Sequence, residues 1–258
     1  MRTLRVLIVG LMLAGSCPVA ALADQRADFI AGKTRDCPRC DLQGVNEKRV
    51  DLGNADLSGA NLTEANLHNA NLAGANLTGA TLVNANLNIA DLRGATFAHA
   101  DLTGAMLYGA RLGKAKLAQA NLTGILARTA ELTNADLTGA IMTKADLRLA
   151  RLAAAKLPGV DLRGAQLDEA NMRNVDFSNA RISDASITFA SLKGANLSGA
   201  DFTGADLFQT DLTDVAFDRT NFTQSRLLKA KVLELDLQQH TTISGTILPN
   251  GTMSDAAP

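Results

Sequence analysis

The sequence predicts an all-β fold, a solenoid of stacked coils, on three observations. From Leu42 to Leu227 an apolar residue recurs every fifth position, and of these 38 positions all but Glu47 and Ala127 are Leu, Ile, Met or Phe. The position two before each is nearly always alanine, 28 of 31 between Ala55 and Ala205, with Ile125, Val160 and Val175 as exceptions. The chain of 258 residues is 47% hydrophobic but only 3% aromatic, without Trp and with one Tyr. Its core is therefore many copies of Leu and Ala and few large rings.

A period of five fits neither regular element over any length. A helix turns about 100° per residue, so leucines five apart point in every direction and form no stripe. A continuous strand fails because five is odd, and alternate leucines would fall on opposite faces. With the apolar centre of each pentapeptide labelled i, however, positions i−2 and i share a face of a short extended step while i−1 points away. Positions i+1 and i+2 then turn a corner. Gly59, Gly74, Gly79, Gly94 and Gly104 stand at i+2, and Ser or Thr is common at i+1, which is turn chemistry. A chain that turns after every five residues coils, and stacked coils bury Leu and Ala. This periodicity requires a whole number of pentapeptides per coil.

The elements follow in order. Residues 1–23 read as a secretory signal peptide: Arg2 and Arg5, the apolar run VLIVGLMLAG, then the small-residue site Ala21-Leu22-Ala23, with cleavage expected after Ala23. The alternative is an uncleaved N-terminal anchor; a lipoprotein site at Cys17 is poorly formed. Removal of residues 1–23 takes Arg2 and Arg5 from 25 cations and leaves 26 acids, a charge of about −3. That balance attracts neither nucleic acid nor an anionic membrane, and no stable membrane insertion is expected once the signal is gone. Residues 24–40 form an N-terminal cap segment with Cys37 and Cys40 in CPRC. This pair is a candidate disulfide, or two quiet thiols. It is half of a zinc site at most, with His68, His99 and His240 scattered, and it lacks the βαβ context of a redox centre. Residues 41–230 are the repeats, and 231–258 a C-terminal cap and tail. Both ends have to cover strand edges that would otherwise stack on another molecule.

Within the repeats, ADLSGANLTEANLHNANLAGANL (55–77) and ANLSGADFTGADL (195–207) resemble the pentapeptide-repeat family, A(D/N)LXX in tandem. The resemblance implies a right-handed quadrilateral parallel β-helix with four pentapeptides per coil, about nine to ten coils. At ~4.8 Å per coil the rod is on the order of 45 Å long. CPRCDLQGVN and TTISGTILPNGT are similar to the beginnings and endings of family members. Well-characterised members are cytoplasmic DNA mimics that bind type II topoisomerase. This chain departs from them in its export signal, its near-neutral charge, the absence of loop insertions in its repeats and the lack of a long C-terminal dimerisation helix.

No GxSxG, HExxH or P-loop occurs, and aspartates such as Asp201 and Asp206 recur because i−1 of the repeat accepts them. No catalytic residue, cofactor or metal is expected. A polysaccharide-active β-helix enzyme is a further alternative, but such clefts are built from side loops. The Asn-Leu-Thr sequons at Asn61, Asn76 and Asn121 follow from the repeat itself. Sorting outward positions by residue number modulo 20 separates one face: Ile89, Met106, Tyr108, Leu126, Leu149, Phe189 and Phe208 lie there, including the sole tyrosine. Contiguous exposed apolar surface marks contact sites, so this is the candidate face for an unidentified protein partner or a homodimer; the competing reading is that these side chains fold locally over the corners. The neighbouring face carries Arg93, Arg111, Lys114, Arg151, Arg173 and Lys193, interrupted by Asp91 and Glu131, and reads as a solvated mixed surface. At Ile125-Leu126-Ala127 the large and small core partners trade places, which predicts a local distortion without loss of register. The expected protein is an exported, non-catalytic scaffold of the periplasm, or of the thylakoid lumen in a cyanobacterium.

Overall fold

The computed structural model describes residues 25–232, 237 and 239–254. The proposed signal peptide lies outside the described residues. From Asp41 onward each i−1 residue bridges in parallel to the residue 20 further on: Asp41 to Asn61, Asn46 to Asn66, and so without a break to Asp211 and Lys231. The chain is thus a β-helix solenoid whose coil holds four five-residue sides, each paired to the next coil through a single bridge.

The repeat sequence follows from where its five backbone N–H groups go. Leu62 N donates to Thr81 O of the following coil, and Glu64 N to Val83 O. Asn61 N donates back to Cys40 O, and Ala65 N closes the corner on Leu62 O at 3.0 Å. The fifth donor, at i+1, is Thr63 N, and it is held by the Asn61 side-chain oxygen at 3.2 Å. Asp56 does the same for Ser58 N, and Asp101 for Thr103 N. This is an Asx turn in every such pentapeptide, and it is why Asp or Asn stands at i−1. Asn side chains add bonds along the rod, Asn61 to Asp41, Asn76 to Asp56 and Asn221 to Asp201.

Every i+2 residue from Arg39 to Lys229 has a positive φ, glycine or not. With the i+3 to i hydrogen bond, made at every one of these corners but Leu212–Val215, this is a type II turn. The Leu and Ala of the repeat are buried throughout, as the spacing requires. Ile125 and Ala127 are both buried, and the ladder runs through Met106, Leu126 and Asp146 in step. The distortion is confined to the corner, where Ile125 N to Leu122 O stretches to 3.3 Å. Corners at Val160 and Val175 stretch likewise, to 3.2 and 3.4 Å, and so do those that start from Ile182 and Ile187, both 3.4 Å. Each of these corners carries a branched aliphatic Cβ, Val or Ile, at one end of the turn.

The ends depart from the repeat. A helical turn over residues 25–30 lays Phe29 on the first coils, beside Glu47, the one acid on the apolar frame, which is half-buried. Cys37 and Cys40 are buried and joined as a disulfide, making the cap residues a tight loop. Near the other end, β1 (Thr220–Asn221) pairs in parallel with β2 (Thr241–Thr242), and Arg226 with Ile247. The step is now 21 residues, so one extra residue enters the last coil, and pairing continues past residue 230, where the repeat frame ends, to Ile247. Here Thr replaces Ala at i−2: buried Thr210 and Thr220 donate to Ile187 O and Leu197 O at 2.7 and 2.8 Å. Phe202 stacks on Phe222, 5.2 Å between centroids, and Phe217 meets Phe222 edge-on. Larger rings close the core where the repeat degrades.

Candidate interaction face

Taking every twentieth residue groups the i+2 corners into four columns. Three of them hold only Gly, Asn, Asp, Gln, Glu, Lys, Arg, His and Ala, residues that accept or tolerate a left-handed backbone. The fourth holds Ile89 (φ 61°), Gly109, Thr129 (φ 60°), Leu149 (φ 61°), Glu169 and Phe189 (φ 58°). A branched or bulky side chain there strains the backbone by about 1–2 kcal/mol relative to the right-handed region. Ile89, Leu149 and Phe189 are moreover exposed, so burial in the core does not offset that cost.

The i−1 column of the same face shows a second sacrifice. Met106 and Leu126 stand where Asp or Asn would cap the i+1 amide, and they bridge each other on adjacent coils. With Met106 at i−1, Tyr108 N is held by the Asn88 side chain of the previous coil at 2.8 Å. Tyr108 and Leu126 are exposed; Met106 and Phe208 are half-buried.

The seven residues form two patches and a bridge between them. Ile89, Met106, Tyr108 and Leu126 occupy three successive coils. Phe189 and Phe208 occupy two coils farther along, edge to face with 5.4 Å between centroids. Phe208 also lies under the Arg226 guanidinium, 4.5 Å away, and Arg226 pairs with Asp206 at 3.0 Å. Leu149 stands alone between the patches. Around it lies a charged belt in which Arg148 binds Asp146 with two nitrogens, while Asp168 accepts from Ser186 and from Thr188 N and Oγ1. Arg128 and Asp168 make no ion pair among the described residues. Sorting positions by twenty places the seven residues on one side of the coil but does not give this division, which depends on counting coils along the rod. One exposed aliphatic on another face, Ile141, escaped the sorting because it is isolated there.

The basic residues of the neighbouring face are largely neutralised. Arg93 pairs with Asp91 at 2.5 Å, Arg111 with Asp91 at 3.5 Å, Arg151 with Glu131 at 3.0 Å and Lys193 with Asp214 at 3.4 Å. The Arg93, Arg148 and Arg163 side chains, hydrogen-bonded two residues back, hold the Asp91, Asp146 and Asp161 carboxyls below the ordinary aspartate range against the opposing effect of partial burial. Among the described residues no three His, Cys, Asp or Glu side chains are grouped to hold a metal ion, and no helix is long and apolar enough to cross a membrane.

Comparison with curated proteins finds no match. Among solved structures, HetL of the cyanobacterium Nostoc sp. strain PCC 7120, a pentapeptide repeat protein involved in heterocyst differentiation regulation, is 27% identical over 89% of this chain and 98% of HetL, with a TM-score of 0.46. A trypsin-treated form of QnrB1, a plasmid-mediated fluoroquinolone resistance protein, is 20% identical over 80% of this chain and 92% of its own, with a TM-score of 0.51. A pentapeptide repeat protein from the Arabidopsis thaliana thylakoid lumen is 26% identical over 52% of this chain and 83% of its own, with a TM-score of 0.24. The pentapeptide-repeat profile matches residues 51–88, 85–124, 110–148, 130–165, 145–184 and 185–224. With its repeats matched from residue 51 to 224, the chain belongs to the pentapeptide-repeat family.

Proposed function

We propose that the protein is a non-catalytic, exported scaffold that binds a protein partner or a second copy of itself through the face bearing Ile89, Met106, Tyr108, Leu126, Leu149, Phe189 and Phe208. The observation that carries this reading is the single corner column in which bulky apolar side chains occupy left-handed backbone while exposed to water. Strain combined with exposure has a physical purpose if the side chains are covered by something else. The ladder from Asp41 to Lys231 is continuous, so no side loop leaves the repeats to build a catalytic cleft. Acids on the faces alternate with arginine partners, unlike the continuous negative surface of a duplex, which favours a protein partner over a topoisomerase-directed mimic. The reading takes the rod as right-handed, of about nine to ten coils, in keeping with the hand of parallel β connections. Export to a periplasm or thylakoid lumen rests on residues 1–23.

The test is affinity capture from periplasmic extract with the mature chain, wild type against Tyr108→Asp plus Phe208→Asp, scored by quantitative mass spectrometry. Loss of specific partners from the double variant supports the face. Equal recovery of every protein removes it.

A further inference from the structure

The two apolar patches of this face lie on either side of Leu149, and their spacing makes the face complementary to itself. A two-fold axis lying across the face at the level of Leu149 keeps each column opposite its own copy and reverses the order of the coils. Residue numbers in a column then pair about the axis: in the corner column 149 meets 149, 109 meets 189 and 89 meets 209, and in the next column 128 meets 168 and 88 meets 208.

We propose that the protein forms an antiparallel side-by-side dimer through this face, with Leu149 on the two-fold axis. This rests on the reading of the face as an interaction surface and commits it to a second copy of the chain. Three juxtapositions carry it. Phe189 of one copy comes to Gly109 of the other, where a Cβ would have nothing nearer than the Thr129 Oγ1 at 3.9 Å; the projecting ring enters the one glycine gap of its column between Asn69 and Gln209, beside Tyr108 and Met106. Phe208 comes level with Ile89, so the second patch covers the first. Arg128 comes opposite Asp168, two opposite charges of the belt that make no ion pair among the described residues, Asp168 being held only by hydrogen bonds from Ser186 and Thr188. The like charges that meet on the axis, Arg148 with Arg148, are each already neutralised by Asp146 through two hydrogen bonds.

A parallel arrangement, with the axis along the rod, loses these matches because it sets each coil against its own copy: Phe189 would face the coil of Phe189, and Arg128 the coil of Arg128. The contact runs over seven coils, about 30 Å at ~4.8 Å per step. A flat strip of that length buries a few hundred Å² per copy, at the small end of specific interfaces, so the dimer is expected to dissociate in the micromolar range. Leu149 meets its copy on the axis, one Arg128–Asp168 pair lies a coil away on each side, and the aromatic contacts of the two patches lie beyond these toward both ends.

The test is sedimentation equilibrium on the mature chain over a wide concentration range, with Leu149→Asp alongside. Asp occupies the same left-handed corner at Asp184 and Asp214, so the variant is expected to fold, which far-UV circular dichroism checks. Wild type is expected to show a monomer–dimer equilibrium and Leu149→Asp at least a tenfold weaker one, because two carboxylates then face each other on the axis. Leu149→Cys is expected to form a disulfide-linked dimer under mild oxidation and Gln209→Cys, three coils away in the same column, to form none. A wild type that stays monomeric, self-association unchanged in Leu149→Asp, or equal crosslinking of both cysteine variants overturns the proposal. A monomer that still loses captured partners through Tyr108→Asp plus Phe208→Asp would leave the interaction face standing and remove only the second copy as its occupant.

Discussion

Replacing Ile89 by Asn separates the cost of this corner from its use. Ile89 sits at φ 61° with 49% of its surface exposed. A β-branched residue in this region is strained by about 1–2 kcal/mol, whereas Asn enters it readily and already holds equivalent corners at Asn69 and Asn84. Against that relief stands the buried half of the side chain, worth about 1 kcal/mol from the 1.5–3 kcal/mol of a fully covered Ile. The monomer should therefore be unchanged or up to about 1 kcal/mol more stable, the reverse of an ordinary aliphatic-to-polar substitution. Leu87→Ala, at a core position that is fully buried, should cost about 3 kcal/mol and shows that the assay detects loss of packing. Urea denaturation followed by far-UV circular dichroism, at a concentration below self-association, reads both. If Ile89→Asn loses about 2 kcal/mol or more, the side chain is part of the core and its strain has no bearing on an interface.

Other substitutions probe the backbone scheme. Thr220→Val removes a buried hydroxyl that donates to Leu197 O and should lower stability by about 1 kcal/mol; Ser225→Ala deletes the buried oxygen that finds no partner among the described residues and should be neutral or stabilising, and the opposite order in melting midpoints would refute the hydrogen-bond assignment. Gly79→Ala places a Cβ in open space at φ 64°, while Gly74→Ala drives one into the Asn54 Oδ1 at φ 69°; both should lose about 1 kcal/mol from the left-handed backbone, and Gly74→Ala should lose more, since Asn54 has to swing away. The depressed carboxyls of Asp91, Asp146 and Asp161 contribute stability that is present above the unfolded aspartate value near 4 and is lost as pH falls through their lower folded values. Each contribution is small because the arginines are about half exposed. The melting midpoint should decline below about pH 4 and decline less in Asp161→Asn; a midpoint indifferent to acid would contradict these pairings.

The coil was legible because a single rule, large at i and small at i−2, holds one register for over 180 residues with few exceptions. The five-residue period excluded helix and long strand outright, and the family resemblance supplied four sides per coil. The exchange at Ile125 and Ala127 was legible too, since volume conserved across one corner leaves register untouched. Less legible was the reason for Asp and Asn at i−1, which lies in one amide per corner that only a side chain can reach. The extra residue in the last coil was hidden as well: where Ala gives way to Thr210, Thr220 and Ser225 the apolar signal weakens, and registers of 20 and 21 look alike in the sequence. The face itself emerged from counting by twenty, but the strain at Ile89, Leu149 and Phe189 required backbone angles. Gly is so common at i+2 that its replacement by larger residues reads in sequence as ordinary variation.

Every statement about a face depends on one coil consuming 20 residues and advancing ~4.8 Å. Spin labels at exposed corners of a single column measure that step directly by electron–electron resonance. From His99 to Asn179 is four coils and from His99 to Arg219 is six, so the distances should be about 19 and 29 Å, before allowance for the label arms. Two distances that agree within a few ångström, or a shorter one for the more distant residue, would contradict the solenoid and with it every surface described above.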